Sequence, residues 1–398
     1  MSLRNGLHYL AIPGPSVMPE AVLRAMHRSA PNIYEGELVD VTESLIPDLR
    51  RVARTEHHVA IYIANGHGVW EAALANVLAE GDTVLVPATG RFGHGWAEIA
   101  RTLGIKTQIV DFGRNAPFDA AQLEQVLRED KDHKIKAVLA THVDTSSGVL
   151  NDMAALRSAL DAAGHPALLM ADCIASLGCD RFEMDAWGVD VMVAASQKGL
   201  MTPPGVAFVF FNEKAAAARQ QMARVSAYWD WTKRAAPEYL YEYFTGTAPT
   251  HHLYGLRAAV DMLMAEGMEN VWARHDLLAR AIWRACDVWG QDGPLTLNVA
   301  DPAHRSRAVT ALRIGLPYGA QLRSWTEQNA GVTLGIGLGM FEKDDPKGQG
   351  FFRIGHMGHV NPQMVMGALS AIDMAFKAED IPHGTGALEA ASTVIAAG

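Results

Sequence analysis

Residues 190–205 read DVMVAASQKGLMTPPG, and this stretch decides the fold. After Asp190 the run VMVAA is apolar at every position, as a strand buried on both faces requires. It ends at Ser196, Gln197 and Lys198, and Gly199 turns the chain away. In open α/β sheets, ligands bind beyond the carboxyl ends of the strands. A lysine held there between apolar walls has a lowered pKa and can form a Schiff base. Taken alone, the pattern more often describes an ordinary solvated lysine after a strand.

Working outward, six further runs of similar length precede or follow it: 59–63 (VAIYI), 83–87 (TVLVP), 106–111, 135–141 (IKAVLAT), 167–172 (ALLMAD) and 206–211 (VAFVFF). Between most of them lie stretches such as 68–78 (GVWEAALANVL) and 152–163 (DMAALRSALDAA), with apolar residues at helical spacing. Alternating strand and helix predicts an α/β domain with a mostly parallel, seven-stranded sheet. Residues 224–255 are rich in aromatic side chains and read as irregular. Their rings, from Tyr228 to Phe244, are expected to pack at a subunit interface more than to line a pocket. A long helical pattern over about 253–289 follows, then a strand at 308–314, a helix at 319–330, strands near 332–336 and 351–354, and a helix at 361–377. The expected division is a large domain over 1–255 and a small C-terminal α+β domain over 256–398. The tail after 382 reads as low in complexity.

The 398-residue chain has 34 Lys+Arg against 44 Asp+Glu, a formal charge of −10, and 49% apolar residues. That composition is globular and excludes disorder. With no Lys/Arg cluster, there is no electrostatic footprint for nucleic acid or an anionic membrane. No apolar run approaches the roughly 18 residues of a membrane helix, and the N-terminus does not read as a signal peptide. Cys173, Cys179 and Cys286 make neither a disulfide framework nor a zinc knuckle. A soluble, cytoplasmic protein with reduced thiols is expected. The 16 histidines show no metalloprotease spacing and read as surface or structural.

Two other strand ends bear on Lys198. The run 167–172 ends in Asp172, 26 residues earlier. Pyridoxal phosphate (PLP) enzymes place a carboxylate beside the pyridine nitrogen, because the protonated ring is the electron sink. Asp172 could equally cap a helix or a turn. The segment 64-ANGHGVWEAALANVL-78 leads from a strand into a helix, whose free N–H groups favour a phosphate. As a dinucleotide fingerprint it fails, because Glu71 occupies the third glycine position. Gly335, Gly337 and Gly339 follow a small-domain strand and read as a mobile surface loop.

Together these elements resemble the class V, fold-type I PLP aminotransferases, of the serine–glyoxylate and alanine–glyoxylate kind. The resemblance is carried by 13-PGPSVMPE-20, 66-GHGVWEAALANVL-78, 141-THVDTSSGVLND-152, 170-MADCIASLG-178, 184-MDAWGVDVMVAASQKGLMTPPG-205 and 353-RIGHMG-358. It implies that Lys198 is the Schiff-base lysine and Asp172 the partner of the pyridine nitrogen. It places Asn65, Gly66 and His67 on the phosphate loop with Gln197 beside it. Thr145 falls at the cofactor ring, and Phe92 at the position stacked on it. Arg353 falls on the arginine that grips the substrate α-carboxylate. Thr247 matches a threonine that reaches the neighbouring subunit's phosphate, which implies a homodimer with shared active sites.

The chain departs from the pattern at three places. Phe244 stands where a tyrosine is expected, 31-PNIYEGELVD-40 differs from the serine enzymes, and His356-Met357 is similar to pyridoxamine–pyruvate transaminase. The expected activity is amino transfer from aspartate, serine or alanine to glyoxylate. Aspartate enters because Arg28, Arg91, His94, His356 and His359 are spare basic groups for a second carboxylate. The alternatives are a pyridoxamine–pyruvate-type transaminase and a class V PLP lyase such as a cysteine desulfurase. The desulfurase is disfavoured because Cys286 lies in a predicted helix. An NAD-dependent oxidoreductase is opposed by the broken glycine fingerprint, and a non-catalytic binding protein by the intact Lys198–Asp172 pair.

Overall fold

The computed structural model describes residues 5–342 and 344–398. In chain order the first strands are β1 (Tyr9–Ala11), β2 (His58–Tyr62), β3 (Thr83–Ala88), β4 (Lys106–Asp111) and β5 (Ile135–Thr141). A hairpin of β6 (Val143–Asp144) and β7 (Val149–Leu150) follows, then β8 (Leu168–Asp172), β9 (Val191–Ala195) and β10 (Ala207–Phe211). One sheet contains seven of these, in the order β2-β10-β9-β8-β5-β3-β4. Its strands run parallel except β10, which is antiparallel to both β2 and β9. These are the seven expected runs, with ends shifted by a residue or two.

The continuous apolar runs have a simple cause. Successive side chains leave opposite faces of a strand, and both faces of this sheet are covered. Ile61, Leu169, Met192 and Phe208 pack on one side with the helices Glu37–Ala53 and Thr250–Glu266. Tyr62, Met170, Val193 and Val209 pack on the other with Gly66–Val77 and Arg91–Thr102. Every residue of β8, β9 and β10 is buried.

A second sheet contains β11 (Thr296–Leu297), β12 (Val309–Arg313), β13 (Val332–Ile336) and β14 (Phe351–Gly355), in the order β1-β13-β14-β12-β11. The sequence did not signal β1, whose three residues pair in parallel with Val332–Leu334 and carry the N-terminal segment onto the small sheet. The helical pattern at 253–289 is two helices, Thr250–Glu266 and Met268–Trp289, parted at Gly267, whose φ of 81° suits glycine. The first packs on the large core. From Leu278 onward the second packs on the small one, where Ala387 and Ala391 of the helix Ala387–Ala397 join it. The low-complexity tail is therefore ordered, because its alanines fit a close helix contact.

The aromatic segment is tied to its own chain. Arg234, fully buried, donates to the carbonyls of Ile61, Tyr228, Tyr243 and Phe244, between the rings of Tyr62 and Tyr228. Trp231 and Phe244 are buried, while Tyr239 and Tyr241 stack at 5.8 Å and face outward. The expected glycine loop is also packed. A Cβ on Gly335 would meet Pro13 at 2.7 Å, and one on Gly337 would meet Phe351 at 2.5 Å.

Candidate active site

Asp172 ends β8 and Lys198 follows β9, its direct neighbour, so the parallel register brings both to one edge of the sheet. Lys198 Nζ donates to the carbonyl of Pro13. The segment that supplies this acceptor is itself anchored on the lysine turn. Ser16 N–H donates to Gln197 O at 2.9 Å, and Ser16 Oγ–H to Lys198 O at 2.7 Å. Gly14, at φ 91°, leaves the space the lysine occupies; a Cβ there would lie 2.2 Å from Nζ. Burial, and then the charge of Arg353, lower the Lys198 amine to about 8, against an opposing pull from Asp172.

Asp172 is 3% exposed. Its Oδ1 accepts from Ile174 N–H at 2.8 Å and its Oδ2 from Trp70 Nε1–H at 3.1 Å. Burial raises its carboxyl to about 7, although both hydrogen bonds favour the ionised form. A cation placed against these oxygens would restore the carboxylate. Trp70 was not singled out by sequence reasoning. It lies within 66-GHGVWEAALANVL-78, but its partner is 102 residues away.

The helix Gly66–Val77 starts beside this pair. Asn65 is its N-cap, with Oδ1 accepting from His67 N–H at 3.1 Å and Gly68 N–H at 3.2 Å. Gly66 sits against Ile174, whose Cδ1 would lie 2.6 Å from a Cβ. His67 packs edge-on to Trp70 at 4.8 Å, and burial and the nearby Arg91 lower its pKa. Gln197 carries a buried Oε1 without a partner.

A second helix start faces the same edge. Asp144 Oδ2 accepts from Phe92 N–H and Gly93 N–H, at 2.8 and 3.2 Å, and Ser146 Oγ accepts from Arg91 N–H at 2.9 Å. Two side chains from the β6–β7 hairpin thus cap the helix Arg91–Thr102, a role that sequence spacing of more than 50 residues hides. Phe92 lies 6.2 Å from Trp70 at a steep tilt. Thr145, between the two caps, is buried, and its carbonyl accepts from Arg353 Nη1 at 2.8 Å. Arg353 Nε donates to Ile336 O at 2.7 Å. Burial lowers this guanidinium to about 10, and Nη2 makes no hydrogen bond among the described residues.

Four of the five basic groups expected to be spare are committed or uncharged. Arg28 forks onto Glu37 and lies 3.7 Å over the Tyr254 ring. His94 meets Asp111 at 3.2 Å. His356 is buried and lowered to about 4, with Nδ1 on Arg307 O and Nε2 on the Thr310 hydroxyl, both at 2.9 Å. Its ring donates to the carbonyl and accepts the hydroxyl, so it is a neutral structural histidine. His359 is lowered by partial burial and by Arg274. Arg91 alone is a cation with no acidic partner among the described residues. Thr247 is exposed, away from Lys198, on a cavity of about 500 Å³ that it shares with Tyr34, Val39 and Tyr239. The 31–40 segment lies there too.

PLP fits the donor set. Lys198 can take its aldehyde, Asp172 its ring nitrogen and Arg353 a substrate carboxylate. The buried Gln197 oxygen without a partner and the N–H end of the helix that starts at Gly66 are polar groups such a ligand could engage. All three cysteines are buried, Cys286 inside the helix Met268–Trp289, which leaves no exposed thiol for desulfurase chemistry among the described residues. No group of three or more His, Cys, Asp or Glu among the described residues could hold a metal.

Residues 8–314 match the model of the aminotransferase class-V family. The serine–glyoxylate aminotransferase of Methylorubrum extorquens is 36% identical, over 94% of this chain and 92% of that protein. The L-aspartate–glyoxylate aminotransferase of Paracoccus denitrificans is 34% identical, over 96% and 94%. The crystal structure of pyridoxamine-pyruvate aminotransferase from Mesorhizobium loti superposes with a TM-score of 0.87 at 25% identity, over 100% of both chains.

Proposed function

This chain belongs to the class V aminotransferases, a PLP-dependent family, and from that premise we propose that it moves an amino group from a small amino acid to glyoxylate. One observation carries the reading. Asp172 and Lys198 stand at one sheet edge on neighbouring parallel strands, and Arg353 is tied to Thr145 of the hairpin that follows β5 at that edge.

Bound there, PLP supplies an aldehyde for Schiff-base exchange and a protonated ring that draws electrons from the substrate Cα. Lys198 would hold the cofactor covalently, and its Nζ is the base that would take the α-proton. An amine lowered to about 8 has a useful unprotonated fraction near neutral pH. Asp172 holds the proton on the ring nitrogen. Arg353, aimed by the carbonyls of Ile336 and Thr145, pairs with the α-carboxylate. Asn65, Gly66, His67 and Gln197 would hold the phosphate, and Phe92 and Thr145 would flank the ring.

Serine and aspartate are proposed donors, as the names of the two relatives suggest, and alanine, another small amino acid, is proposed beside them. Aspartate brings a second carboxylate, and Arg91, exposed at the start of its helix and near enough to His67 to lower its pKa, is the cation we assign to it. The test is to convert the PLP form with each donor in turn and follow its near-visible absorbance. Failure of aspartate at saturation, with serine or alanine reacting, removes Arg91 from this role. Reaction only with pyridoxamine and pyruvate would replace glyoxylate chemistry altogether.

We also propose a cytoplasmic homodimer whose neighbouring subunit contributes Thr247. Support comes from Tyr34, Tyr239 and Tyr241, which are 86, 61 and 57% exposed around the Thr247 cavity. Sedimentation at the mass of one chain, with full activity, would refute the shared site. No helix among the described residues is long and apolar enough to cross a membrane. A division into a large and a small unit belongs to the same reading and is supported by the separate apolar clusters of the two sheets. The expected boundary at 255/256 falls inside the helix Thr250–Glu266, whereas the large cluster runs on to Val271 and the small one takes over at Leu278.

A further inference from the structure

We propose that Trp70 is a positioning residue, whose indole N–H aims the Asp172 carboxylate at the cofactor ring nitrogen. This rests on Asp172 being the partner of that nitrogen. A carboxylate swings about its last torsion unless both oxygens are held. Oδ1 is held locally by Ile174 N–H, whereas Oδ2 is held by Trp70 Nε1–H. Each oxygen keeps a second acceptor site for the ring N–H. The indole cannot turn aside, being 1% exposed between the stacked Trp96 at 6.0 Å and the edge-on His67 at 4.8 Å. Its N–H also favours the ionised carboxylate against burial and the charge of Asp144, as does Lys198. Phenylalanine at position 70 would keep a buried ring and delete the donor.

The test compares cofactor-free wild type, Trp70→Phe, Asp172→Asn and the double variant. Each is titrated with PLP and with its 1-deaza analogue, in which CH replaces the ring nitrogen. Trp70→Phe should weaken PLP about tenfold, the scale of one hydrogen bond to a charged group, and leave the deaza analogue unchanged. In the Asp172→Asn background it should change neither. Equal loss of both ligands, or the same PLP loss without the aspartate, would show that Trp70 only packs. If Asp172→Asn itself leaves the preference for PLP intact, the assignment of Asp172 fails instead. Should Trp70→Phe not fold, the indole N–H resonance of Trp70 in the cofactor-free protein decides. It should titrate near pH 7 in wild type and lose that transition in Asp172→Asn, where the neighbouring His67 remains. A resonance that ignores Asp172 overturns the proposal.

Discussion

Replacing Arg353 with lysine keeps a cation at the end of the pocket and removes its planar fork. The native guanidinium spends Nε on Ile336 O at 2.7 Å and Nη1 on Thr145 O at 2.8 Å, and these two bonds aim the remaining edge. A single Nζ cannot hold both carbonyls and also present two parallel donors to a carboxylate. At the substrate, one charge-assisted hydrogen bond of ~1.5–3 kcal/mol is lost. That corresponds to a KM for the amino acid about 10- to 150-fold higher at pH 7. A pH effect should accompany it. Arg353 stays charged until about 10, whereas a lysine there shares the burial that brings Lys198 to about 8. The variant should therefore lose affinity as pH rises through about 8, relative to wild type at each pH. Steady-state KM at pH 7 and 9, at saturating PLP and fixed glyoxylate, reads both effects. A variant KM within twofold of wild type at both values would show that Arg353 does not bind the carboxylate.

Lys198→Ala should retain PLP non-covalently but lose about 10²–10⁴-fold or more of its transamination rate, since the proton carrier is gone; stopped-flow absorbance with a donor checks this, and near-native turnover would refute it. Asp172→Asn should bind PLP yet slow α-proton removal severely, as a substrate deuterium isotope effect would report. In the cofactor-free protein the same variant tests the buried carboxyl. Burial raises it to about 7, well above an ordinary carboxyl, so the protonated form favours folding, and that stability is present below about 4 and lost as pH rises toward 7. Asp172→Asn should thus gain on wild type as pH rises from about 4 to about 7 in denaturant unfolding, and a constant difference would contradict the burial. Arg234→Met should leave four carbonyls without their donor. At ~1–3 kcal/mol per unsatisfied group, partly relieved by water, a loss of at least about 3 kcal/mol is expected on chemical unfolding.

The local pattern was enough for the large sheet and for the two residues at its edge. β8, β9 and β10 are legible because burial on both faces forbids polar alternation, and the chain changes composition abruptly at Asp172 and Ser196. Turn chemistry after a strand is local as well, so Lys198 and the Gly66 helix start could be marked, and their order along the chain carried the family resemblance. Arg353 was legible only through that resemblance, because an arginine inside a short apolar strand has no periodicity of its own.

Tertiary structure alone decided which groups are available and which are spent. Arg28, His94 and His356 looked alike as spare bases, and packing committed them to Glu37, Asp111 and the Thr310–Arg307 pair. β1 is three residues long and becomes a strand only because β13, more than 300 positions later, offers it an edge. Gly267 splits a continuous helical pattern, since amphipathic spacing does not register a change of direction between two cores. The grips of Trp70 on Asp172 and of Asp144 on the Phe92 helix span 102 and 52 positions. A hydrogen bond depends on distance and direction in space, and sequence spacing specifies these only within a helix, strand or turn; across the chain, the order of strands in the sheet sets them.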